Sequence, residues 1–429
     1  MPAIDPDRLL ADLRRLRSIG ARGKGVVRPA FSDRDMEARR WLKSQFEAAG
    51  LEASIDGVGN VIGRSRQAGR ALLLGSHSDT QPTGGWLDGA LGVVYALEVA
   101  RALAADRATA ALPVDVVSFQ DEEARFVGCL GSRSLTGALT PEIEADAADK
   151  DGVRMADALR AAGLAAAPRA RLSRERYLGF VEAHIEQGPT LEDSGKRIGV
   201  VTGIVGLRAI HFAFRGQQNH AGTTMMKTRR DASSALYELA HRINTEFPKA
   251  AAERTVWTMG RLRVEPNATS IVPGYADLDL QFRDASDAPL DALEEIAMRI
   301  AAEMNARGGV TIEATPSRAP IPPTKMDAGL RKHIEAAAER HAPGKWMRLP
   351  SGAFHDAGIV SAMLPSAMLF IPSIGGISHD FAEDSRDEDI VLGCQVLADA
   401  AASALQARER REARIANARA KENARTFGS

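Results

Sequence analysis

The stretch LLLGSHSDTQPTGGWLDGALG, residues 72–92, joins the end of an apolar run to a glycine-rich segment that contains His77, Asp79 and Asp88. The run that ends at His77 has the length and composition of a buried strand, and the LGVVYALEVARALAA segment after it has those of a helix. A strand, a polar connection and a helix in succession form the repeating unit of parallel α/β folds. A plain surface loop does not need two carboxylates and an imidazole among glycines, whereas a metal site does.

The same alternation recurs along the chain. Three further apolar strands are predicted at LPVDVVSF, GFVEAHIEQGP and SAMLFIPS, and residues 35–49 have the pattern of an amphipathic helix. We therefore expect an α/β fold in which a mostly parallel, mixed sheet is flanked by helices. In such sheets ligands bind beyond the carboxyl ends of the strands, and the polar clusters of this chain lie at or near those ends.

Residues 207–316 follow a different order of strand, helix, strand, strand, helix and strand, which is the ferredoxin-like α+β pattern. We expect a small domain inserted between two pieces of the α/β domain. The predicted division is 1–206 for the first piece, 207–325 for the insert and 326–429 for the second piece. The second piece ends in a tail rich in Arg, Ala and Glu, which we expect to extend as a charged helix.

The composition bounds the class of protein. The chain has 429 residues, 45% of them hydrophobic, a formal net charge of -1 and two cysteines, so we expect a globular protein of two domains without a disulfide framework. The near-neutral charge argues against a nucleic-acid or anionic-membrane partner. The N-terminal segment lacks an apolar signal region and no run of about 20 apolar residues is present, so we expect a cytoplasmic location with no membrane span.

Four clusters of metal-ligand residue types lie near predicted strand ends. They are His77/Asp79/Asp88, Asp121/Glu122/Glu123, His184/Glu186 and His379/Asp380. One histidine alone is more often a satisfied imidazole than a ligand, and paired glutamates usually form a solvated edge, so only the joint pattern carries weight. Imidazole and carboxylate together suit zinc, manganese, cobalt or nickel, and the absence of thiolates argues against a structural zinc site. Two such ions, about 3.5 to 4 Å apart, polarise a carbonyl and activate a shared water.

Individual side chains in these clusters have distinct candidate roles. Adjacent Glu122 and Glu123 point in different directions at a strand end, so one can bind metal while the other stays free as a general base. Asp79, two residues after His77, is placed to accept the second imidazole N–H of that histidine. Cys129 and Cys394 are not candidate ligands, and we expect Cys394 to pack in the core.

The sequence resembles the amidase, hydantoinase and carbamoylase branch of the di-metal aminoacylase and carboxypeptidase superfamily. The stretches that carry the resemblance, in family order between about residues 72 and 390, are GSHSDTQPTGGWLDGALGV, QDEEARF…GSRSLTG, EAHIEQGPTLEDSGKRIGVVTG, HAGTTMMKTRRDA, PNATSIVPG…QFRD and GISHDFAED. The resemblance implies two divalent metal ions per subunit. By it, His77, Asp88 and His184 hold one ion, Asp88, Glu123 and His379 hold the other with Asp88 bridging, and Glu122 is the base.

The resemblance also gives the insert a function. It implies a lid and dimerisation domain in a homodimer, with His220 of NHAGTT as an oxyanion stabiliser that often acts on the partner subunit's site. It further implies that Arg283 of LQFRD binds a substrate carboxylate, for which the guanidinium fork is suited. The plainer alternatives are that the GTT segment after His220 is helix-cap chemistry and that Arg283 is a surface arginine.

The chain departs from the family pattern where substrate should bind. Val205 replaces a Gln in VTGxQG, Ser270 replaces an Asn in PNxxNxVPG, and Phe354 replaces a Gly in SGAGHDA. The loop after the paired glutamates is one residue shorter than EEGxRF, and Met225 replaces a Pro. Two amide partners for a polar substrate are thus missing, each worth about 0.5–1.5 kcal/mol. We expect a less polar pocket and a bulkier or more apolar substrate than in a standard carbamoylase.

The function expected on these grounds is hydrolysis of a linear amide or ureido C–N bond, most like that of an N-carbamoyl-L-amino acid hydrolase. Three alternatives stay open at this point. They are an allantoate or ureidoglycolate amidohydrolase, an N-acyl amino acid or dipeptide hydrolase, and a non-catalytic dimeric binding protein. His184 argues against a dipeptidase, because the peptidases of the superfamily usually have an acidic ligand there, and an intact Glu122 argues against a protein without catalysis.

Overall fold

The computed structural model describes residues 2–317 and 319–426, with side chains described up to residue 410. The described helices are α1 (Pro6–Ser18), α2 (Asp33–Ala48), α3 (Ala90–Ala105), α4 (Leu130–Thr136), α5 (Pro141–Asp146), α6 (Met155–Ala161), α7 (Thr190–Asp193), α8 (Ala232–Glu246), α9 (Asp287–Arg307), α10 (Ala328–His341), α11 (Asp356–Val360) and α12 (Asp387–Thr426). The strands are β1 (Ala21–Arg22), β2 (Gly25–Val26), β3 (Glu52–Ile55), β4 (Val61–Arg64), β5 (Ala71–His77), β6 (Val114–Phe119), β7 (Tyr177–Ile185), β8 (Ile198–Ile204), β9 (Gly206–Arg215), β10 (Asn219–His220), β11 (Val256–Glu265), β12 (Ile271–Val272), β13 (Tyr275–Asp284), β14 (Thr311–Pro316), β15 (Thr324–Lys325), β16 (Trp346–Ser351) and β17 (Ser366–Ile371).

The chain divides into two compact units. The first comprises Met1–Thr202, Met326–Leu349 and Phe354–Ser429, and the second comprises Gly203–Lys325 and Pro350–Ala353. The short segment Pro350–Ala353 belongs to the second unit although it is distant in sequence from the rest of that unit. It is bound there by the N–H of Val205, which donates to the carbonyl of Ser351 at 3.0 Å.

The first unit is built on one mixed sheet with the strand order β8, β17, β7, β5, β6, β4, β3. The four central strands β17, β7, β5 and β6 pair in parallel, while β8, β4 and β3 pair antiparallel at the flanks. The α/β fold with a mixed sheet flanked by helices is thus confirmed, and the parallel pairing is confined to its centre. Strands β5 and β6 are buried along their whole length, as expected of strands covered on both faces.

The parallel arrangement decides where the polar clusters meet. Because β5, β6, β7 and β17 run in the same direction, their carboxyl ends lie at one edge of the sheet. Strand β5 ends at His77, β7 contains His184 one residue before its end, and the paired glutamates follow β6. Helix α3 leaves the same edge and is buried along almost its whole length, which keeps the loop before it in a fixed position.

Helix α12 packs in the core of the first unit. Among the described residues, its segment Asp387–Arg410 is long and apolar enough to cross a membrane by length and composition, but 67% of the most apolar window is buried inside the protein. Ile390, Cys394 and Leu397 of this helix belong to the same hydrophobic cluster as α3 and the sheet. The apolar composition is therefore explained by burial in a protein core.

The second unit contains a four-stranded antiparallel sheet with the order β11, β13, β9, β14. With α8 after β9 and α9 after β13, this is the ferredoxin-like arrangement. Its core is separate from that of the first unit and includes Phe212, Phe214 and Phe282, packed against Leu236 of α8 and Leu293 of α9. The short pair β10–β12, which contains His220, lies outside this sheet.

Candidate metal centre

Two groups of three side chains converge at the carboxyl edge of the sheet. His77, Asp88 and His184 form the first metal group, and Asp88, Glu123 and His379 form the second. Within each group one ligand atom of every residue lies within 4.8 Å of the others. Asp88 belongs to both groups, with Oδ1 3.1 Å from Nε2 of His184 and Oδ2 3.3 Å from Nε2 of His379. The structure thus brings together the five residues that the sequence suggested as ligands.

Backbone contacts orient the two buried imidazoles. Nδ1 of His77 lies 3.1 Å from the carbonyl oxygen of Asp79, and Nδ1 of His184 lies 2.9 Å from the carbonyl oxygen of Ile185. If both Nδ1 atoms carry the hydrogen, both rings present the Nε2 lone pair toward Asp88. That is the orientation in which a carbonyl fixes the tautomer of a metal-binding histidine.

The acceptor for His77 differs from the one expected. We predicted that the carboxylate of Asp79 accepts the imidazole hydrogen, but its Oδ1 is 3.8 Å from Nδ1 and the main-chain carbonyl is closer. The carboxylate is turned away because its Oδ2 accepts the backbone N–H of Glu123 at 3.2 Å and its Oδ1 faces the guanidinium of Arg39 at 3.7 Å. Asp79 therefore joins the loop that carries Glu123 to the strand that carries His77.

Gly89, which immediately follows Asp88, passes directly beside an imidazole. A Cβ at this position would lie 2.3 Å from Nε2 of His77, and φ is +65°. Both facts require glycine, the first by contact and the second by backbone conformation. The glycine beside Asp88 thus lets the main chain pass close to the ligands.

Glu122 and Glu123 diverge as the sequence suggested. The carboxylate of Glu122 lies 3.8 Å from Nε2 of His77, and that of Glu123 lies 3.8 Å from Nε2 of His379. Asp121 does not face the ligands, because its carboxylate accepts the backbone N–H groups of Arg125, Phe126 and Val127 and so shapes the loop. The backbone of Asp121 has φ +53°, a left-handed conformation that helps to turn the two glutamates apart.

Three polar side chains that the sequence analysis left out lie beside the second metal group. The amide nitrogen of Gln187 donates to Asp88 Oδ2 at 3.0 Å and to Ser378 Oγ at 3.2 Å, and it lies 3.4 Å from His379 Nε2. Glu383 is 1% exposed and contacts the loop of Asp88. The sequence does contain a signal for Gln187, Ser378 and Glu383, because each lies within five residues of a predicted ligand in EAHIEQGP or GISHDFAED.

The ionisable groups strongly perturb one another. Burial alone would raise the pKa of Asp88, but hydrogen bonds from His184, His379 and His77 hold it well below its ordinary value. Burial and the charge of Asp88 raise the pKa of Glu123 to about 7, and the hydrogen bond to Asp88 raises the pKa of His379 to about 9. The directions of these shifts follow from the crowding of carboxylates and imidazoles at one buried place, where bound cations would compensate the negative charges.

The pKa of Glu122 is shifted in the same direction. Burial raises it well above its ordinary value, against the opposing charge of His77 and with the added charge of Glu123. A largely buried carboxyl with a raised pKa, next to the candidate ligands but outside both metal groups, has the properties of a general base near neutral pH.

The donor set fits divalent metal ions. Each group offers imidazole nitrogen and carboxylate oxygen with no thiolate, and one carboxylate reaches both groups, as a shared ligand of two ions must. A cavity of about 430 Å³ borders Asp79 and Glu123, with Val27, Pro29 and Pro82 among its apolar walls. The volume is within the usual range for a small-molecule site.

His220, Ser270 and Arg283 lie in the second unit. Nδ1 of His220 accepts the backbone N–H groups of Gly222 and Thr223 at 3.0 and 3.2 Å, which leaves the hydrogen of a neutral ring on Nε2. The carbonyl of Ser270 accepts the N–H of Ala221 at 3.0 Å, so Ser270 is held next to the His220 loop. Nη1 of Arg283 donates to the carbonyl of Gly352 at 3.1 Å.

The other two departures from the family pattern, Val205 and Phe354, lie in different units. Val205 is 8% exposed at the start of the second unit, so most of its side chain is buried. Phe354 lies in the first unit and is half-buried, directly before buried His355, whose ring centroid is 4.7 Å from that of His184. Phe354 therefore immediately precedes a residue that packs against His184 of the first metal group.

An α/β sheet with two His/Asp/Glu groups at its carboxyl edge and a separate, largely buried glutamate beside them is typical of metal-dependent hydrolases. The profile of Peptidase family M20/M25/M40 matches residues 73–403, and the chain belongs to this family, which is metal-dependent.

Individual relatives place the chain within the family. It is 36% identical over 403 residues to an N-carbamoyl-L-amino acid amidohydrolase of Geobacillus stearothermophilus, covering 89% of this chain and 95% of that protein. It is 34% identical over 384 residues to an allantoate amidohydrolase of Escherichia coli, covering 87% and 92%. The crystal structure of an amidase of the hydantoinase/carbamoylase family from Burkholderia phymatum matches with a TM-score of 0.89 and 50% identity, covering 95% of this chain and 99% of that one. The resemblance to the hydantoinase/carbamoylase branch is confirmed.

Proposed function

We propose that the protein is a binuclear metal-dependent amidohydrolase that cleaves a linear carbamoyl, ureido or amide C–N bond. The observation that carries this proposal is the sharing of Asp88 between the two metal groups, with Glu122 beside His77 and outside both. An N-carbamoyl-L-amino acid amidohydrolase and an allantoate amidohydrolase are among the relatives, which supports non-peptide C–N bonds as the target.

The first metal group would hold one divalent cation and the second group the other. When bound, such ions would polarise a substrate carbonyl and lower the pKa of a bound water. Zinc, manganese, cobalt and nickel all suit imidazole and carboxylate donors. The neighbouring imidazoles of His184, His379 and His77 hold the pKa of Asp88 well below its ordinary value, so its carboxylate is ionised and could serve both cations.

Glu122 transfers protons in the proposed reaction. Its carboxylate takes a proton from the attacking water and returns it to the leaving nitrogen, so one side chain acts first as base and then as acid. A carboxyl whose pKa is raised by burial is suited to both steps near neutral pH. If the bond cut is that of a carbamoyl group, the products are the amine, ammonia and carbon dioxide.

The second unit supplies the groups that bind substrate in this proposal. Nε2–H of His220 donates to the oxygen that becomes negative during attack, a role supported by the two backbone N–H groups that occupy Nδ1. Arg283 binds a carboxylate of the substrate through its guanidinium. We further propose, from the resemblance, that the second unit is the lid and dimerisation domain of a homodimer and that the enzyme is cytoplasmic, where its free, buried Cys129 and Cys394 stay reduced.

The substrate that fits the chain's departures has a carboxylate and a bulky or apolar body. Val205 and Ser270 remove two amide side chains, while Phe354 adds an apolar ring. A cavity of about 430 Å³ beside Glu123 has room for such a body, although Val205, Ser270 and Phe354 are not among its lining residues. The second candidate, allantoate, is small and polar and gains nothing from these changes, although one relative has that activity by name.

The test is hydrolysis after reconstitution with manganese, cobalt or zinc. Substrates would be N-carbamoyl-L-amino acids with small and large side chains, allantoate, N-acyl amino acids, dipeptides and simple aryl amides. We expect the highest kcat/KM for a carbamoyl or acyl derivative with a large apolar side chain. Faster turnover of allantoate or of N-carbamoylglycine than of every bulky substrate would contradict the substrate proposal, and no hydrolysis of any amide would contradict the activity.

A further inference from the structure

Glu383 joins the loop that carries Asp88 to the loop that carries His379. Its Oε1 accepts the backbone N–H of Leu87 at 3.1 Å and that of Asp88 at 3.0 Å. Its Oε2 accepts the hydroxyl of Ser378 at 2.8 Å. The residue is 1% exposed, so water does not compete for these bonds.

The loop that carries Asp88 and the loop that carries His379 approach each other closely at the carboxylate of Glu383. A Cβ on Gly85 would lie 1.9 Å from Oε1 of Glu383, so that position has room for glycine only. Next to this contact, the indole N–H of Trp86 donates to the carboxylate of Asp384 at 3.1 Å. Two consecutive acids of one loop, Glu383 and Asp384, thus accept hydrogen bonds from the three consecutive residues 86–88 of the other.

The two metal groups differ in how firmly their histidines are held. His77 and His184 are each 1% exposed and belong to strands β5 and β7. His379 lies in a loop with φ +56°, and its side chain is 50% exposed. Ser378, the neighbour of His379, also lies 3.3 Å from Asp88 Oδ2, so the loop position is set by bonds that converge on Asp88 and Glu383.

We propose that Glu383 is a positioning residue that fixes Asp88 and His379 relative to each other and thereby controls the second metal group selectively. The first metal group shares Asp88 but should be affected less, because its other two ligands, His77 and His184, lie on strands of the sheet. This inference rests on the proposed function, in which both groups hold cations.

The experiment measures cobalt binding to wild type, Glu383→Ala and Glu383→Gln, with His379→Ala as the reference for a chain that has lost the second group. Both Glu383 variants remove the negative charge, but only Gln keeps an oxygen that accepts the N–H groups of Leu87 and Asp88. The pair therefore separates geometry from charge. Cobalt content after dialysis, calorimetric affinity and the visible absorption spectrum are recorded, since the spectrum reports ligand geometry independently of activity.

We expect two cobalt ions per chain in wild type and Glu383→Gln, and one in Glu383→Ala, with the spectrum of His379→Ala. The second affinity should fall about 10- to 100-fold in Glu383→Ala. Ser378→Ala keeps the charge of Glu383 and removes one hydrogen bond to it, so it should reduce the affinity for the second ion by a smaller factor. This variant replaces Glu383→Ala in the comparison if Glu383→Ala does not fold.

Three results would overturn the inference. They are unchanged binding of both ions in Glu383→Ala and Ser378→Ala, equal loss in the Ala and Gln variants, and simultaneous loss of both ions in Glu383→Ala. A wild type that binds fewer than two cobalt ions would instead contradict the proposed function, so the two failures are distinguishable.

Discussion

The Sγ atom of Cys129 lies 3.6 Å from Oε1 of Glu122, so a buried thiol faces the carboxylate proposed as the general base. The backbone reinforces this arrangement, because the N–H of Cys129 donates to the carbonyl of Glu122 at 3.2 Å. Burial and the charge of Glu122 raise the pKa of the Cys129 thiol well above its ordinary value, which keeps it protonated and a donor. The chain thus gives its proposed base a weak hydrogen-bond donor.

Replacement of Cys129 should shift the acid limb of the pH–rate profile. Cys129→Ala removes a donor that favours ionised Glu122, so the pKa of the base rises and the acid limb of kcat/KM moves to higher pH. Cys129→Ser supplies a stronger donor of similar size and should move the limb to lower pH. Profiles that coincide for wild type and both variants would show that the thiol does not act on Glu122. Cys394→Ala, which changes the other buried cysteine, is the control.

The stability gained from metal should grow as pH rises. In the metal-free fold the pKa of Glu123 is raised from 4.5 to about 7, so its protonated form is the stable one and the free energy of unfolding falls as pH rises through that range. The pKa of His379 is raised from 6.5 to about 9, so its contribution is full below 6.5 and is lost as pH rises through 9. Both terms destabilise the metal-free protein in the range where deprotonated ligands bind metal best.

Thermal unfolding with cobalt and with a chelator measures this difference directly. We expect the gap in Tm to widen steadily between about pH 6 and about pH 9. A gap that stays constant or narrows over that range would contradict the assignment of Glu123 and His379 as ligands. His379→Ala should show a smaller dependence on pH than wild type.

Gly89→Ala should disturb metal binding beyond its effect on the backbone. The added Cβ meets the His77 ring, so we expect loss of the first metal ion together with lower stability. Gly50→Ala is a matched control, since Gly50 has φ +84° and no atom within 4 Å of the added Cβ. It should cost about 1 kcal/mol through the backbone and leave metal content unchanged. Equal metal content in both variants would contradict the close approach of Gly89 to His77.

Arg283 should discriminate substrates by their carboxylate. Arg283→Ala removes a charged hydrogen-bond partner worth about 1.5–3 kcal/mol, so kcat/KM for a carboxylate substrate should fall about 10- to 150-fold. A matched amide without the carboxylate should be hydrolysed at the same rate by both proteins. Arg283→Lys keeps the charge but not the fork and should give an intermediate loss. A similar loss on both substrates would assign Arg283 a structural role.

The sequence was sufficient for the features that depend on periodicity and composition. The apolar runs before His77 and before Glu122 predicted buried strands, and parallel strands bring their carboxyl ends together, so the convergence of distant clusters followed. Contacts that depend on local backbone conformation were not predictable. The left-handed residues Asp121 and Cys129 turn the loop so that a thiol meets Glu122, and no pattern of residue types indicates such a turn.

The prediction that the Asp79 carboxylate accepts the imidazole hydrogen of His77 was wrong for a similar reason. Spacing alone placed its carboxylate near His77, but the competing partners Arg39 and the N–H of Glu123 come from α2 and from the loop after β6. Long-range partners of this kind decide which oxygen of a residue serves as acceptor. Glu383 is a second case, since its bonds to Leu87 and Asp88 join positions almost 300 residues apart in the chain.

The most direct test of the account compares wild type with Glu122→Gln on the same metal-loaded samples, measuring metal content and the rate of N-carbamoyl-amino acid hydrolysis together. Because Glu122 lies outside both metal groups, both proteins should contain two ions per chain, while kcat of the variant should fall about 10²- to 10⁴-fold. Retention of the wild-type rate by Glu122→Gln, or a fully metal-loaded wild type that hydrolyses no amide, would contradict the account.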